Sequence, residues 1–192
     1  MTQLLADIFY ERGPIKTIGV IGMGYVGIPA AALFAQSFNM VYGFQRDSTS
    51  SGYKISLLNS GKNPLKGEEP GLDELIHDIV LNKKFECTSD FSKISFCDAV
   101  TIAIQTPFLN SKDLIPDFSA LEDGIRQVGK FITRGTLVVL ESTITPGTTV
   151  NWALKILEEE SGLIAGKDFG LAHAPERVMV GRLIQNIQEH DR

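Results

Sequence analysis

Glycines at a telling spacing are the first residues that suggest chemistry. Gly22-Met23-Gly24-Tyr25-Val26-Gly27 follows the G-x-G-x-x-G pattern, which binds anions when a strand precedes it and a helix follows. There Gly22 permits a tight turn and Gly24 lets a pyrophosphate approach the backbone. Gly27 lets helix and sheet close together, and the helix amino end supplies oriented N–H donors. Without those neighbours the hexapeptide is only a glycine-rich turn. An NAD site also calls for Asp or Glu about 20 residues on, to bond the ribose hydroxyls. Gln45 stands there, followed by Arg46 and Asp47. Gln45 can bond a hydroxyl but does not repel a 2′-phosphate. Arg46 would attract one, with Ser48, Thr49 and Ser50 as further donors, or it is simply a solvated surface cation. NAD stays ahead of NADP on this reading, with NADP left open.

Further polar residues cluster at Thr106-Pro107, along 141–149 from Glu141-Ser142-Thr143 to Pro146-Gly147-Thr148-Thr149, and at 173–178, His173-Ala174-Pro175-Glu176-Arg177-Val178. Taken singly, each is explained by a capping loop. Cys87 and Cys97 form no CxxC pair, and neither is expected at a strand's carboxyl end, so both read as small semi-buried residues. His77, His173 and His190 share no metal-ligand spacing.

The elements that must position these residues show in the hydrophobic pattern. Short apolar runs at 17–21, 40–44, 85–88, 99–104, 137–140 and 169–172 read as strands. Helical patterns cover 28–38, 51–59, 70–80, 121–132 and 148–160, the last with Val150, Ala153, Leu154 and Leu157 on its inner face and Gly162 past its end. Leu4, Leu5, Ile8 and Phe9 share one face of a short helix that Gly13-Pro14 breaks. Continuously apolar strands alternating with helices imply an α/β, Rossmann-like doubly wound parallel sheet with helices on both faces. A helical extension, 1–14, precedes a single domain over 15–192. The glycine loop then lies between the first strand and its helix, as dinucleotide binding requires.

Composition narrows the class. The 192 residues are 43% hydrophobic and 21% charged, with a formal net charge of −5, an ordinary globular balance. The acidic sign argues against a nucleic-acid partner. No apolar run is long enough for a membrane helix, and Asp7 and Glu11 do not suit a secretion signal. A soluble, cytoplasmic chain without a membrane or nucleic-acid partner is expected.

Taken together, the glycine hexapeptide, Glu69-Pro70-Gly71-Leu72, Thr106-Pro107, the 141–149 stretch and Pro175-Glu176-Arg177-Val178 resemble the amino-terminal part of the UDP-glucose/GDP-mannose dehydrogenase family, from about residue 15 to the end. The Glu-Ser-Thr and Pro-Glu-Arg-Val forms look most like the branch oxidising UDP-N-acetylhexosamines, UDP-N-acetylmannosamine above all. The resemblance implies an NAD-dependent enzyme that oxidises the C6 alcohol of a UDP-sugar to a carboxylate in two hydride transfers, in a full-length protein that is a homodimer. It implies that Met23, Tyr25 and Val26 join the three glycines at the cofactor, and that Thr106 and Thr143 contact its ribose and nicotinamide side. Glu176 is implied as the acid/base, and Arg177 and Val178 as contacts to the nucleotide-sugar, with no metal required. Gln45 departs from the family's acidic residue, Val180 stands where a family-specific residue is usual, and the extension before Ile15 is not part of the pattern.

In the family a cysteine holds the oxidised intermediate as a thioester, assisted by Lys and Asn, all downstream of Pro-Glu-Arg-Val. Arg192 ends this chain before them, so the chain alone is expected to bind cofactor without turnover. Two alternatives stay open at this point. A β-hydroxyacid-type dehydrogenase shares the glycine-rich start but not Pro-Glu-Arg-Val. A non-catalytic NAD-sensing module would tolerate Gln45 and a short chain.

Overall fold

A computed structural model describes residues 7–9, 11–66, 69–110, 112, 114–175 and 181–189. Its centre is a sheet of six strands, β1 (Thr17–Ile21), β2 (Met40–Phe44), β3 (Phe85–Thr88), β4 (Ala99–Ile102), β5 (Leu137–Leu140) and β6 (Gly170–His173). They lie in the order β3-β2-β1-β4-β5-β6, and every neighbouring pair is parallel. The winding reverses between β1 and β4. The loops leaving those two strands therefore diverge and open a crevice at the sheet's carboxyl edge.

Helices α1 (Gly27–Ser37), α2 (Tyr53–Asn59), α3 (Leu72–Leu81), α4 (Ser119–Phe131), α5 (Leu154–Ser161) and α6 (Leu183–Glu189) complete the layers. Successive strand residues point to opposite faces. Ile18, Val20 and Val41 pack with Ile28, Ala31 and Ala35 of α1 and Ile76 of α3. Ile21, Val100, Ile102, Val138 and Leu140 pack with Ile125 of α4 and Leu157 of α5. Two separate cores, one per face, explain why the strands carry apolar residues at nearly every position.

Several expectations shift. The strand expected over 99–104 ends at Ile102, because the N–H of Ile104 leaves the ladder and donates to Ser142 Oγ at 3.1 Å. The helix expected over 148–160 opens with a π-helical turn, Thr149–Ala153. The wider turn changes the helical phase. Val150 is thus 59% exposed, and Ile156 joins Ala153 and Leu157 on the buried face. The last strand runs Gly170–His173, one residue later than expected. A 3₁₀ turn, Phe91–Phe96, and α6 were not expected from the pattern. The 3₁₀ turn is capped by Asp90, whose Oδ1 accepts the Ser92 N–H at 3.0 Å.

The amino-terminal residues brace the opposite edge of the sheet. Residues 7–9 and 11–12 are helical, with Ile8 lying over Gly135 and Phe9 over Gly170; Leu4 and Leu5 lie outside the described residues. Arg12 Nε donates to Asp98 Oδ1 at 3.0 Å, Nη2 to the Cys97 carbonyl at 2.8 Å and Nη1 to the Arg134 carbonyl at 2.7 Å. Asp98 Oδ2 accepts the N–H groups of Lys16 at 2.8 Å and Thr17 at 2.9 Å. Burial opposes ionisation of Asp98, but these N–H donors and the guanidinium outweigh it and hold the carboxyl below its usual range. Among the described residues, no helix is long and apolar enough to cross a membrane.

Candidate functional site

The glycine loop leaves β1 and enters α1 directly. Gly22 has φ +98°, and a Cβ there would lie 2.8 Å from the Ala103 carbonyl oxygen. A Cβ on Gly27 would lie 1.9 Å from the Gly22 carbonyl oxygen, so only glycine lets α1 start this close to the sheet. Gly24 differs: a Cβ there would meet nothing within 4 Å. The space above Gly24 is open, as a bound diphosphate would need. Among the described residues, the N–H groups of Gly24, Tyr25 and Val26 donate to no protein acceptor. No acidic side chain sits in the first turn of α1, so that turn carries no carboxylate of its own against the positive end of the helix dipole. The arrangement is an anion cradle.

Met23 contributes through its main chain. Its side chain is 1% exposed and packs in the core under the loop. Its N–H donates to Gln45 Oε1 at 3.3 Å, and its carbonyl accepts Lys54 Nζ at 2.8 Å. Tyr25 reaches sideways, its hydroxyl donating to the Lys66 carbonyl at 2.7 Å, which ties the loop before α3 to the cradle.

Two cavities flank the loop. One, of about 290 Å³, runs from Gly22–Gly24 to the end of β2 and is walled by Phe44, Gln45, Arg46, Lys54, Phe91, Ala120 and Asp123. The other, of about 370 Å³, is walled by Tyr25, Val26, Thr106, Glu141, Ser142 and Thr143. Gly24, Ala103, Ile104, Gln105 and Pro107 border both. An extended molecule with its middle over Gly24 can therefore occupy the two together. That matches a dinucleotide, with adenosine on the β2 side and nicotinamide on the β5 side.

Most of the residues singled out from the sequence converge here. Thr106 Oγ1 donates to the Thr143 carbonyl at 2.8 Å, so these two meet directly across the ends of β4 and β5. Gln45 and Arg46 lie at the end of β2, where Arg46 Nη1 pairs with Asp123 Oδ2 of α4 at 3.3 Å. Glu176, Arg177 and Val178 lie outside the described residues. The chain leading to them leaves β6 at this same edge, with the Ala174 N–H donating to the Leu140 carbonyl at 2.9 Å.

Sequence reasoning did not find Lys54 or Asp123, and it quoted Ser142 only within its motif, without a role. Ser142 is buried, donates to the Ile102 carbonyl at 3.2 Å and accepts from Ile104, holding the β4 and β5 ends in register. Its Glu-Ser-Thr setting was the available signal. Lys54 could have been suspected as the first cation after β2 on an element that must fold back over the loop. Asp123 gives no local signal.

The cysteines do not belong to the site. Cys87 is one residue from the carboxyl end of β3, whose bounds are those expected, so the expectation that it lies away from such an end is corrected. Its thiol is buried, and burial followed by the nearby Glu86 pushes it up to about 12. Burial followed by Asp98 does the same to Cys97, also to about 12. A nucleophile needs the thiolate, which both positions disfavour.

Comparison with known proteins places this geometry. Residues 16–192 match the model for the UDP-glucose/GDP-mannose dehydrogenase family, NAD binding domain. UDP-N-acetyl-D-mannosamine dehydrogenase of Pyrococcus horikoshii is 39% identical over 175 residues, covering 91% of this chain and 40% of that protein. The structure of NDP-N-acetyl-D-galactosaminuronic acid dehydrogenase from Methanosarcina mazei Go1 matches with TM-score 0.96 at 70% identity, over 98% of this chain and 40% of that one. A ternary complex of GDP-mannose dehydrogenase from Pseudomonas aeruginosa matches with TM-score 0.78 at 30% identity, over 88% of this chain and 38% of that one. The chain spans about two fifths of the length of these relatives.

Proposed function

This chain belongs to the UDP-glucose/GDP-mannose dehydrogenase family, and from that premise we propose that it is the cofactor-binding part of an NAD-dependent nucleotide-sugar 6-dehydrogenase. In this reading 15–192 form the dinucleotide-binding domain and 1–14 an extension that braces it. The central and carboxyl-terminal UDP-sugar-binding domains that the resemblance implies are assigned to the part of the relatives that these 192 residues do not cover. The full-length enzyme is a cytoplasmic homodimer. Its substrate is a UDP-N-acetylhexosamine, with UDP-N-acetylmannosamine first in line, as the name of the Pyrococcus relative suggests. The name of the Methanosarcina relative makes the galacto epimer the second sugar to test.

The overall reaction converts the C6 alcohol to a carboxylate by loss of two hydrides and addition of one water. The chemistry that NAD brings when bound is hydride acceptance. The chain's own residues hold and orient. The N–H groups of Gly24, Tyr25 and Val26 receive the diphosphate, and the adenosine ribose lies at the end of β2 beside Gln45 and Arg46. Thr106 and Thr143 stand on the nicotinamide side. Glu176 acts as acid/base near the reacting carbon, and Arg177 and Val178 touch the nucleotide-sugar, the guanidinium meeting its anionic groups. The thiol nucleophile that the family resemblance implies is neither Cys87 nor Cys97, because both are buried as neutral thiols.

The observation that carries this reading is the open cradle at Gly24, whose N–H donors meet no acceptor among the described residues. Calorimetric titration tests it. The 192-residue chain should bind NAD and produce no sustained NADH with UDP-N-acetylmannosamine, whereas a chain of the relatives' full length should form two NADH per sugar. Steady turnover by the short chain, or no heat with NAD, would overturn the reading.

A further inference from the structure

The end of β2 is where a dinucleotide site chooses between a free and a phosphorylated ribose, usually through a carboxylate that accepts both hydroxyls and repels a 2′-phosphate. That carboxylate is replaced here by Gln45, and the amide is committed inward. Its Oε1 accepts the Met23 N–H at 3.3 Å and its Nε2 donates to Ser51 Oγ at 2.9 Å. Two cations stand on the same cleft wall, Lys54, held on the Met23 carbonyl, and Arg46, whose side chain is 60% exposed. Ser48 links to Ser51 at 2.7 Å and to Ser50 at 3.3 Å, so a hydroxyl cluster continues the rim. Asp47 does not reach this wall; its carboxylate lies against Gly52. Among the described residues lining the cleft, Asp123 is the one carboxylate, and it is paired with Arg46.

From this wall we infer that the cleft accepts a dinucleotide phosphorylated on the adenosine 2′-hydroxyl as readily as the unphosphorylated form, with Arg46 leaving Asp123 to clasp the phosphate. The inference rests on the reading of the cleft as a dinucleotide site and deepens it. An exposed ion pair such as Arg46–Asp123 is weak, whereas a guanidinium meets a phosphate with parallel charge-assisted bonds. The pair therefore acts as a latch: closed, it neutralises Arg46, and opened, it presents a cation at the position a 2′-phosphate would reach. Lys54 and the Ser48–Ser51 hydroxyls stand behind it as further donors.

Titration of the 192-residue chain with NADP and with NAD decides the matter. The dissociation constants should agree within tenfold. Q45D should shift their ratio at least tenfold toward NAD. R46A should weaken NADP at least tenfold more than it weakens NAD, and D123N should shift the ratio toward NADP. Adenosine 2′,5′-bisphosphate against 5′-AMP, on the unmodified chain, gives the same comparison without any variant, and the two should bind within tenfold of each other. NADP weaker than NAD by more than tenfold, or the bisphosphate weaker than 5′-AMP by more than tenfold, overturns the inference while leaving the cofactor site intact. Failure of both dinucleotides to bind defeats the underlying site itself, a distinguishable result.

Discussion

The two edges of the sheet treat charge and hydrogen bonding in opposite ways. At the amino edge, Arg12 and Asp98 satisfy each other and the surrounding main chain, the carboxylate taking two N–H donors and the guanidinium taking the Cys97 and Arg134 carbonyls. At the carboxyl edge, the N–H groups of Gly24, Tyr25 and Val26 have no acceptor among the described residues, and a cleft holds Gln45, Arg46 and Lys54 around open space. One edge is closed on itself. The other is unfinished in a way that an anionic ligand completes, and that difference separates stability from function along the same strands.

Substitutions should separate the edges. Gly27→Val breaks the carboxyl edge as architecture, since the new Cβ would overlap the Gly22 carbonyl. It should cost about 3 kcal/mol or more, read as a lowered midpoint in chemical denaturation together with loss of NAD binding. At the amino edge, Arg12→Ala takes the guanidinium from Asp98 Oδ1 and should cost about 2 kcal/mol, leaving the NAD affinity per folded molecule unchanged. Thr106→Val removes the donor to the Thr143 carbonyl and should cost about 1 kcal/mol, with a several-fold weaker nicotinamide-side contact seen by titration. Gly24→Val is the sharpest contrast. Nothing in the protein crowds that position, so stability should stay within about 0.5 kcal/mol while NAD binding falls at least tenfold.

Acid provides a milder probe of the same contrast. Asp98 is held below its ordinary range in the folded chain, so its contribution is complete above the unfolded carboxyl value of about 3.9. It is lost as pH falls through the lower folded value. Asp98→Asn should therefore flatten the acid limb of the stability curve below about pH 4, measured by denaturation at stepped pH. A curve that keeps its slope in the variant would place the acid-sensitive group elsewhere.

Local chemistry explains what the sequence reveals. The glycine hexapeptide is legible because part of its constraint is local, the positive φ at Gly22 and the contact of Gly27 with the Gly22 carbonyl, whereas the closeness of Gly22 to Ala103 and the open space at Gly24 appear only in the fold. The strands are equally plain, since two faces must be covered. Thr106 and Thr143 could be paired only through the family pattern, as their contact joins residues 37 apart. Asp123 stayed hidden because it reaches the cleft when α4 crosses above β4, an arrangement with no signature in its own stretch. The π-helical turn at Thr149–Ala153 was hidden for a different reason. Its residues fit an α-helix equally well, and only the packing of Ala153, Ile156 and Leu157 fixes the phase that leaves Val150 outside.

A crystal structure of the chain grown with NAD tests the central claim most directly. The account predicts diphosphate oxygens within hydrogen-bond distance of the Gly24–Val26 N–H groups, adenosine beside Gln45 and nicotinamide toward Thr106 and Thr143. Density for the dinucleotide elsewhere, with the space above Gly24 filled only by solvent, would contradict it.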